Sequence, residues 1–155
     1  NLKNIRTISN EKIADIEVKY SKLESINIEG DIISSLIDEL PILFIACALS
    51  EGVSNISGIE ELRYKESDRI KSMEDGLKAI GVNVSSTLDS IKITGGEITG
   101  GKVKSYDDHR IAMSFAIAGI VSKKSITISD TKNISTSFPN FVDLLRQQEV
   151  NVYEI

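Results

Sequence analysis

Apolar and polar positions alternate over residues 14–20, at Ile16, Val18 and Tyr20, and over 25–29, at Ile26 and Ile28. Both stretches predict short strands with one buried face. Gly30 ends the second, and 31–37 reads as a connection. Residues 40–49 then run without a polar break, and a helix apolar on every side is a buried helix. Asp38 stands where its N-cap is expected, and Pro41 falls in the first turn, where a missing N–H costs nothing. Gly52 stops that helix and 53–57 predicts a strand. A further helix is predicted over 66–80 from Ile70, Met73, Leu77 and Ile80, spaced by three and four, with Gly81 as its stop. Strands are expected at 81–85 and 90–94, a second apolar helix at 108–121 and a strand at 125–129. A helix at 137–148, with Pro139 in its first turn, and a strand at 150–153 complete the pattern.

The pattern repeats. Asp38 before an apolar helix matches Asp108 before another, 70 positions later. Val53 to Ser57 matches Ser125 to Ser129, and Val82-Asn83-Val84 recurs as Val150-Asn151-Val152. Each unit runs helix, strand, helix, strand, and such units stack to bury a shared core. The units fall at approximately 38–94 and 108–155, with 14–29 as the tail of a preceding unit. The whole of 1–155 is therefore expected to be a single partial domain, the later part of a larger repeat domain.

Composition narrows the class. The chain has 155 residues, 41% hydrophobic and 26% charged, as in a soluble globular domain. A net charge of −5 argues against nucleic acid or an anionic membrane as the main partner. The single cysteine, Cys47, has no disulfide partner within the chain, and no Cys/His cluster suits a metal. The longest apolar run, 40–49, is too short to span a bilayer. A cytoplasmic setting is expected.

Two charged knots interrupt this picture. In the first, 61–70, Arg63, Lys65, Glu66 and Arg69 crowd together. On a helix, Glu66 would share the face of Ile70, so its carboxylate would be partly desolvated and suited to general-acid work. Lys65, Glu66 and Arg69 would converge on one small volume; a surface salt-bridge ladder is the plainer alternative. In the second, His109 and Arg110 occupy the first turn of a helix, where cations are disfavoured by the macrodipole and an anion would be welcome. The alternative is that Asp107 and Asp108 cap the helix and neutralise them. Asp38, by the repeat, takes the place of Asp108.

Asp38-Glu39-Leu40-Pro41, 61–70, Asp108-His109-Arg110-Ile111-Ala112-Met113 and Thr136-Ser137-Phe138-Pro139 occur in this order. Together they resemble the C-terminal part of the 5-enolpyruvylshikimate-3-phosphate synthase family. The resemblance implies an α/β fold of repeated βαβαββ units, an inverted α/β barrel type of enolpyruvyl transferase domain with buried central helices. It implies transfer of the enolpyruvyl group of phosphoenolpyruvate to the 5-hydroxyl of shikimate 3-phosphate, with release of phosphate and no cofactor. It implies that Asp38 and Glu66 are catalytic, as base and acid. It also implies that Lys65, Arg69, His109 and Arg110 bind substrate, Arg69 and Arg110 holding phosphoenolpyruvate. Thr136 stands where some members carry a phosphate-binding lysine. A second domain of the same protein, N-terminal to this chain, would close the site, and this chain alone would be inactive. Two other readings stay open: a UDP-N-acetylglucosamine enolpyruvyl transferase, which uses a loop cysteine that Cys47 does not suit, and a non-catalytic binding module on the same repeat.

Overall fold

The computed structural model describes residues 1–153. The chain opens with a hairpin that the pattern did not predict. β1 (Leu2–Ile8) pairs antiparallel with β2 (Glu11–Ile16), from Leu2 opposite Ile16 to Ile8 opposite Glu11. Ser9 and Asn10 both have positive φ, the geometry of a two-residue turn whose twist suits a hairpin. The alternation over 14–20 does not become a strand of its own. β2 ends at Ile16, and Val18 and Tyr20 lie exposed beyond it.

A four-stranded sheet follows, in the order β3-β4-β6-β5. β3 is only Asn27–Ile28 and pairs parallel with β4 (Val53–Ser57). The stretch that the sequence pattern grouped with a preceding tail thus joins the sheet of the unit after it. β5 (Asn83–Ser86) and β6 (Ser90–Thr94) form an antiparallel hairpin, with β6 also antiparallel to β4. A third sheet holds β7 (Gly101–Lys104) parallel to β8 (Ile126–Ser129). The short, glycine-flanked β7 has one buried side chain, Val103, too little for its pattern to announce it.

The helices connect and cover these strands. α1 (Ile32–Leu36) forms where a connection was expected, because Ile33 drops into the core. α2 (Leu40–Ala48) buries Leu40, Phe44, Ile45, Cys47 and Ala48. Its N-cap is Glu39 rather than Asp38, and Glu39 makes no side-chain cap. α3 (Arg69–Ala79) starts three residues later than its pattern suggested, capped by Asp68, whose carboxylate accepts from the Lys71 N–H at 2.9 Å. Residues 60–64 form a separate 3₁₀ turn, and Lys65 is extended, so of the first charged knot only Arg69 and Ile70 lie in an α-helix. α4 (His109–Val121) is capped by Asp108. The single helix expected at 137–148 is two, α5 (Ile134–Ser137) and α6 (Phe141–Gln147). Pro139 separates them, because its ring drives the preceding Phe138 out of helical geometry, to φ −142° and ψ 75°. The strand expected at 150–153 does not form; those residues are irregular.

Element order thus runs β3, α1, α2, β4, α3, β5, β6, followed by β7, α4, β8 and the broken α5–α6, a mixed α/β repeat. α2 and α4, the equivalent helices, pack on each other and on α3. Their core includes Phe44, Ile45, Ile70, Met73, Leu77 and Phe115, all at most 1% exposed. The Phe115 ring lies over Gly76, where a Cβ would collide with it. That contact sets how closely α3 approaches α4, and so how the starts of the two helices face each other.

Candidate active site

The first residues of α2, α3 and α4 come together at one end of the helix layer. Arg69, the first residue of α3, is the centre of the group and is 1% exposed. Its Nε donates to Asp108 Oδ2 at 2.9 Å, its Nη1 to Asp38 Oδ1 at 3.1 Å and its Nη2 to Glu66 Oε2 at 2.6 Å. Asp108 and Arg69 are 39 residues apart in sequence. Their pairing ties α4 to α3, and Asp38 adds the approach to α2.

Asp108 is fully buried, and both of its oxygens are engaged. Oδ1 caps α4, accepting from the N–H of Arg110 at 2.9 Å and of Ile111 at 3.4 Å. Oδ2 accepts from Arg69 and from the Ser67 hydroxyl at 3.1 Å, and Ser72 donates in turn to Ser67 at 3.3 Å. Tyr106 and Asp107 take left-handed backbone conformations at φ 56° and 58°, turning the chain so that Asp108 faces inward. The Asn133 amide donates to the Asp107 carbonyl and fastens this turn to α5. Burial pushes the Asp108 carboxyl up. The Arg69 hydrogen bond and charge, the Ser67 hydroxyl and the Arg110 N–H outweigh burial and hold it below the ordinary aspartate value. Burial likewise disfavours the Arg69 cation, but Asp108 first, then Glu66 and Asp38, keep it more firmly protonated than a free arginine.

Arg110 faces the same space from α4. Its Nη1 donates to the Asp38 carbonyl at 2.8 Å, and its guanidinium lies 3.5 Å from both the Asp38 and Glu39 carboxylates. Asp38 therefore lies between two arginines, its side chain 46% exposed. It is no helix cap; those arginines hold its carboxylate. Glu66 departs from expectation too. It precedes α3 instead of extending the buried stripe, and at 49% exposed it lacks the desolvation that the stripe would have imposed.

Lys65 does not converge with Arg69. The extended backbone at Lys65 breaks the helical face they would have shared, and its ammonium pairs with Glu61 at 2.6 Å. Arg63 is structural, donating to Asp68 at 2.7 Å and to the Leu88 carbonyl at 2.6 Å, which fastens the knot to the β5–β6 turn. Half-buried His109 begins α4 beside Arg110 and takes no part in the arginine–carboxylate network. Thr136 is exposed on α5, its hydroxyl donating to the Asn133 carbonyl at 2.7 Å. From the network a shallow depression extends between α2 and α4, past Asp38 and Arg110 to Pro41, Met113 and Ile117.

Asp108 is the residue that local reading undervalued. A cap was expected of it; its second role, holding Arg69, depends on a partner that no local pattern shows. Chemically, the cluster offers two guanidinium groups that suit a phosphate or carboxylate, beside two half-exposed carboxylates able to exchange protons. Among the described residues no group of His, Cys, Asp and Glu could hold a metal ion, and no helix is long and apolar enough to cross a membrane.

Residues 2–145 match the profile of EPSP synthase (3-phosphoshikimate 1-carboxyvinyltransferase). The 3-phosphoshikimate 1-carboxyvinyltransferase of Legionella pneumophila (strain Paris) is 48% identical over 139 residues, which are 90% of this chain and 32% of that protein. That of Zymomonas mobilis subsp. mobilis is 49% identical over 151 residues, 93% of this chain and 33% of the relative. A solved EPSP synthase from Acinetobacter baumannii superposes with a TM-score of 0.89 at 44% identity, over 95% of this chain and 35% of that one. The enolpyruvyl transferase NikO from Streptomyces tendae, at 15% identity and a TM-score of 0.68 over 96% of this chain and 33% of its own, shares the fold. The chain thus spans about a third of the length of the relatives it matches.

Proposed function

This chain belongs to the EPSP synthase family, and on that premise we propose that the protein carrying it transfers the enolpyruvyl group of phosphoenolpyruvate to the 5-hydroxyl of shikimate 3-phosphate. Addition forms a bond from the hydroxyl oxygen to C2 of phosphoenolpyruvate while a proton goes to its methylene carbon. Elimination then returns a proton from the new methyl group and expels phosphate. Asp38 takes the hydroxyl proton and Glu66 delivers the methylene proton. Arg69 and Arg110 grip phosphoenolpyruvate, Lys65 lies toward the shikimate phosphate, and His109 borders the site. The chain works in the cytoplasm and needs no cofactor.

One observation carries this reading: Asp38, Glu66, Arg69 and Arg110, which the motifs nominate from three separate stretches, form one connected network at the helix starts. A binding module would not need two half-exposed carboxylates paired with that arginine pair. Cys47, only 2% exposed inside α2, cannot serve as a reactive loop cysteine, which weighs against the UDP-N-acetylglucosamine reaction.

Part of the same proposal is that the site is half of the whole, in a partial domain whose units run over about 38–94 and 108–155. The network lies at one open end of the helix layer, and its relatives are about three times as long. Another domain of the protein closing over this end would exclude water from Glu66 and supply the desolvation its acid role needs. The test is phosphate release from phosphoenolpyruvate and shikimate 3-phosphate by this chain alone and by the protein carrying it. Turnover only in the second supports the proposal; full turnover by the chain alone contradicts the half-site.

A further inference from the structure

We propose that Asp38 and Glu66 form an ionic latch across the outward edge of Arg69, which an incoming anion opens, so that filling the arginine releases the two carboxylates the reaction uses. The inference rests on the reading of Arg69 as an anion-gripping group and adds how its site is regulated.

The two ends of the Arg69 guanidinium are held differently. The Nε end is fixed. Asp108 Oδ2 lies 2.9 Å away, fully buried, and Asp108 is itself committed to Ser67 and to two backbone N–H groups of α4. The outward end is covered by movable groups. Asp38 takes Nη1 at 3.1 Å and Glu66 takes Nη2 at 2.6 Å, from different segments, and each is about half exposed, at 46% and 49%. Asp38 sits immediately before the α2 cap and Glu66 two residues before the α3 cap, so neither carboxylate is locked into a helix turn, and the second partner of Asp38, Arg110, holds it at a looser 3.5 Å. Two nitrogens, each holding one carboxylate oxygen, present the spacing that a single carboxylate or phosphate fills bidentately.

Arg69 is 1% exposed, so no anion reaches its fork while both carboxylates remain on it. Charge favours exchange over addition. Asp38, Glu66 and Asp108 already outnumber Arg69 and Arg110, and one more anion beside latched carboxylates would be repelled. Anion bound and latch closed are therefore alternative states. The latched fraction lowers apparent anion affinity, and the base and acid come free only when there is a substrate to act on.

The test titrates inorganic phosphate and phosphoenolpyruvate by calorimetry into the protein carrying this chain. Glu66→Gln and Asp38→Asn keep the shape of the latch and remove its charge. Each is expected to tighten phosphate binding about three- to tenfold, and the double variant further. Glu60→Gln removes an equal charge from an exposed residue of the neighbouring 3₁₀ turn, outside the Arg69, Arg110 and Lys65 ion pairs, and should change affinity less than about twofold. Carboxyl carbon resonances in the unmutated protein give a readout free of folding effects: those of Asp38 and Glu66 should move on saturation with phosphate, and that of Asp108 should stay. Unchanged or weaker binding in the folded latch variants, equal tightening by Glu60→Gln, or unmoved Asp38 and Glu66 resonances each overturn the latch. If the unmutated protein binds neither phosphate nor phosphoenolpyruvate, the anion-site reading falls as well, so the two failures are told apart.

Discussion

Replacing Asp108 with asparagine isolates the buried half of the network. The amide oxygen still accepts from the Arg110 and Ile111 N–H groups, so the α4 cap survives. The amide nitrogen faces Arg69 Nε, where a donor meets a donor, and only the Ser67 hydroxyl can turn to accept from it. Removing one partner of a buried ion pair costs about 3–5 kcal/mol, because the other charge stays buried. Here Asp38 and Glu66 still touch Arg69, both half exposed, which reduces the expected loss to about 2–4 kcal/mol. Asp108→Ala also removes the cap and should cost about 1 kcal/mol more. Urea unfolding followed by circular dichroism measures both, provided the slope is unchanged. A loss below about 1 kcal/mol for Asp108→Asn would refute the claim that this pair holds the helix starts together.

The acid limb of stability should show the same group. Asp108 titrates lower in the fold than in the unfolded chain, so its contribution is complete above the unfolded value, about 3.9, and is lost as pH falls through the lowered folded value. Urea midpoints measured from pH 6 down to pH 2 should fall less steeply in Asp108→Asn than in the unmutated protein; parallel curves would remove Asp108 from the acid limb. Gly76→Ala should destabilise by about 1–3 kcal/mol, because the new methyl meets the Phe115 ring and pushes α3 from α4. Thermal unfolding checks it, and Phe115→Leu in the same background should recover part of the loss.

The long apolar helices were legible because their signal is dense. Residues 40–48 and 109–121 become α2 and α4 nearly as their patterns suggest, and β4 and β6 fall at the expected positions. The hairpin β1–β2 was not legible, since its turn is Ser9-Asn10 with no glycine and its strands face solvent. Pro139 suits the first turn of a helix by local sequence and is a helix break in the fold, two outcomes that the local sequence alone does not separate. At the site, motif and repeat named Asp38, Glu66, Arg69 and Arg110, and the fold joins them. The helical face of Ile70 does not extend backward to Lys65 and Glu66. A 3₁₀ turn and an extended Lys65 intervene, which sends Lys65 to Glu61 and leaves Glu66 half exposed. Arg69 shows the larger limit. A charge run looks solvated in sequence, yet this arginine is buried because its partners come from 31 and 39 residues away.

The proposed activity depends on Arg110 and Arg69 gripping the anion beside Asp38. The most direct measurement is kcat/KM for phosphoenolpyruvate in the protein carrying Arg110→Ala, because Arg110, unlike Arg69, is partly exposed and can be removed without opening the core. The expected result is a fall of at least about a hundredfold, about 2.7 kcal/mol of transition-state binding, with urea stability within about 1 kcal/mol of the unmutated protein. Turnover within about threefold of the unmutated protein would contradict it.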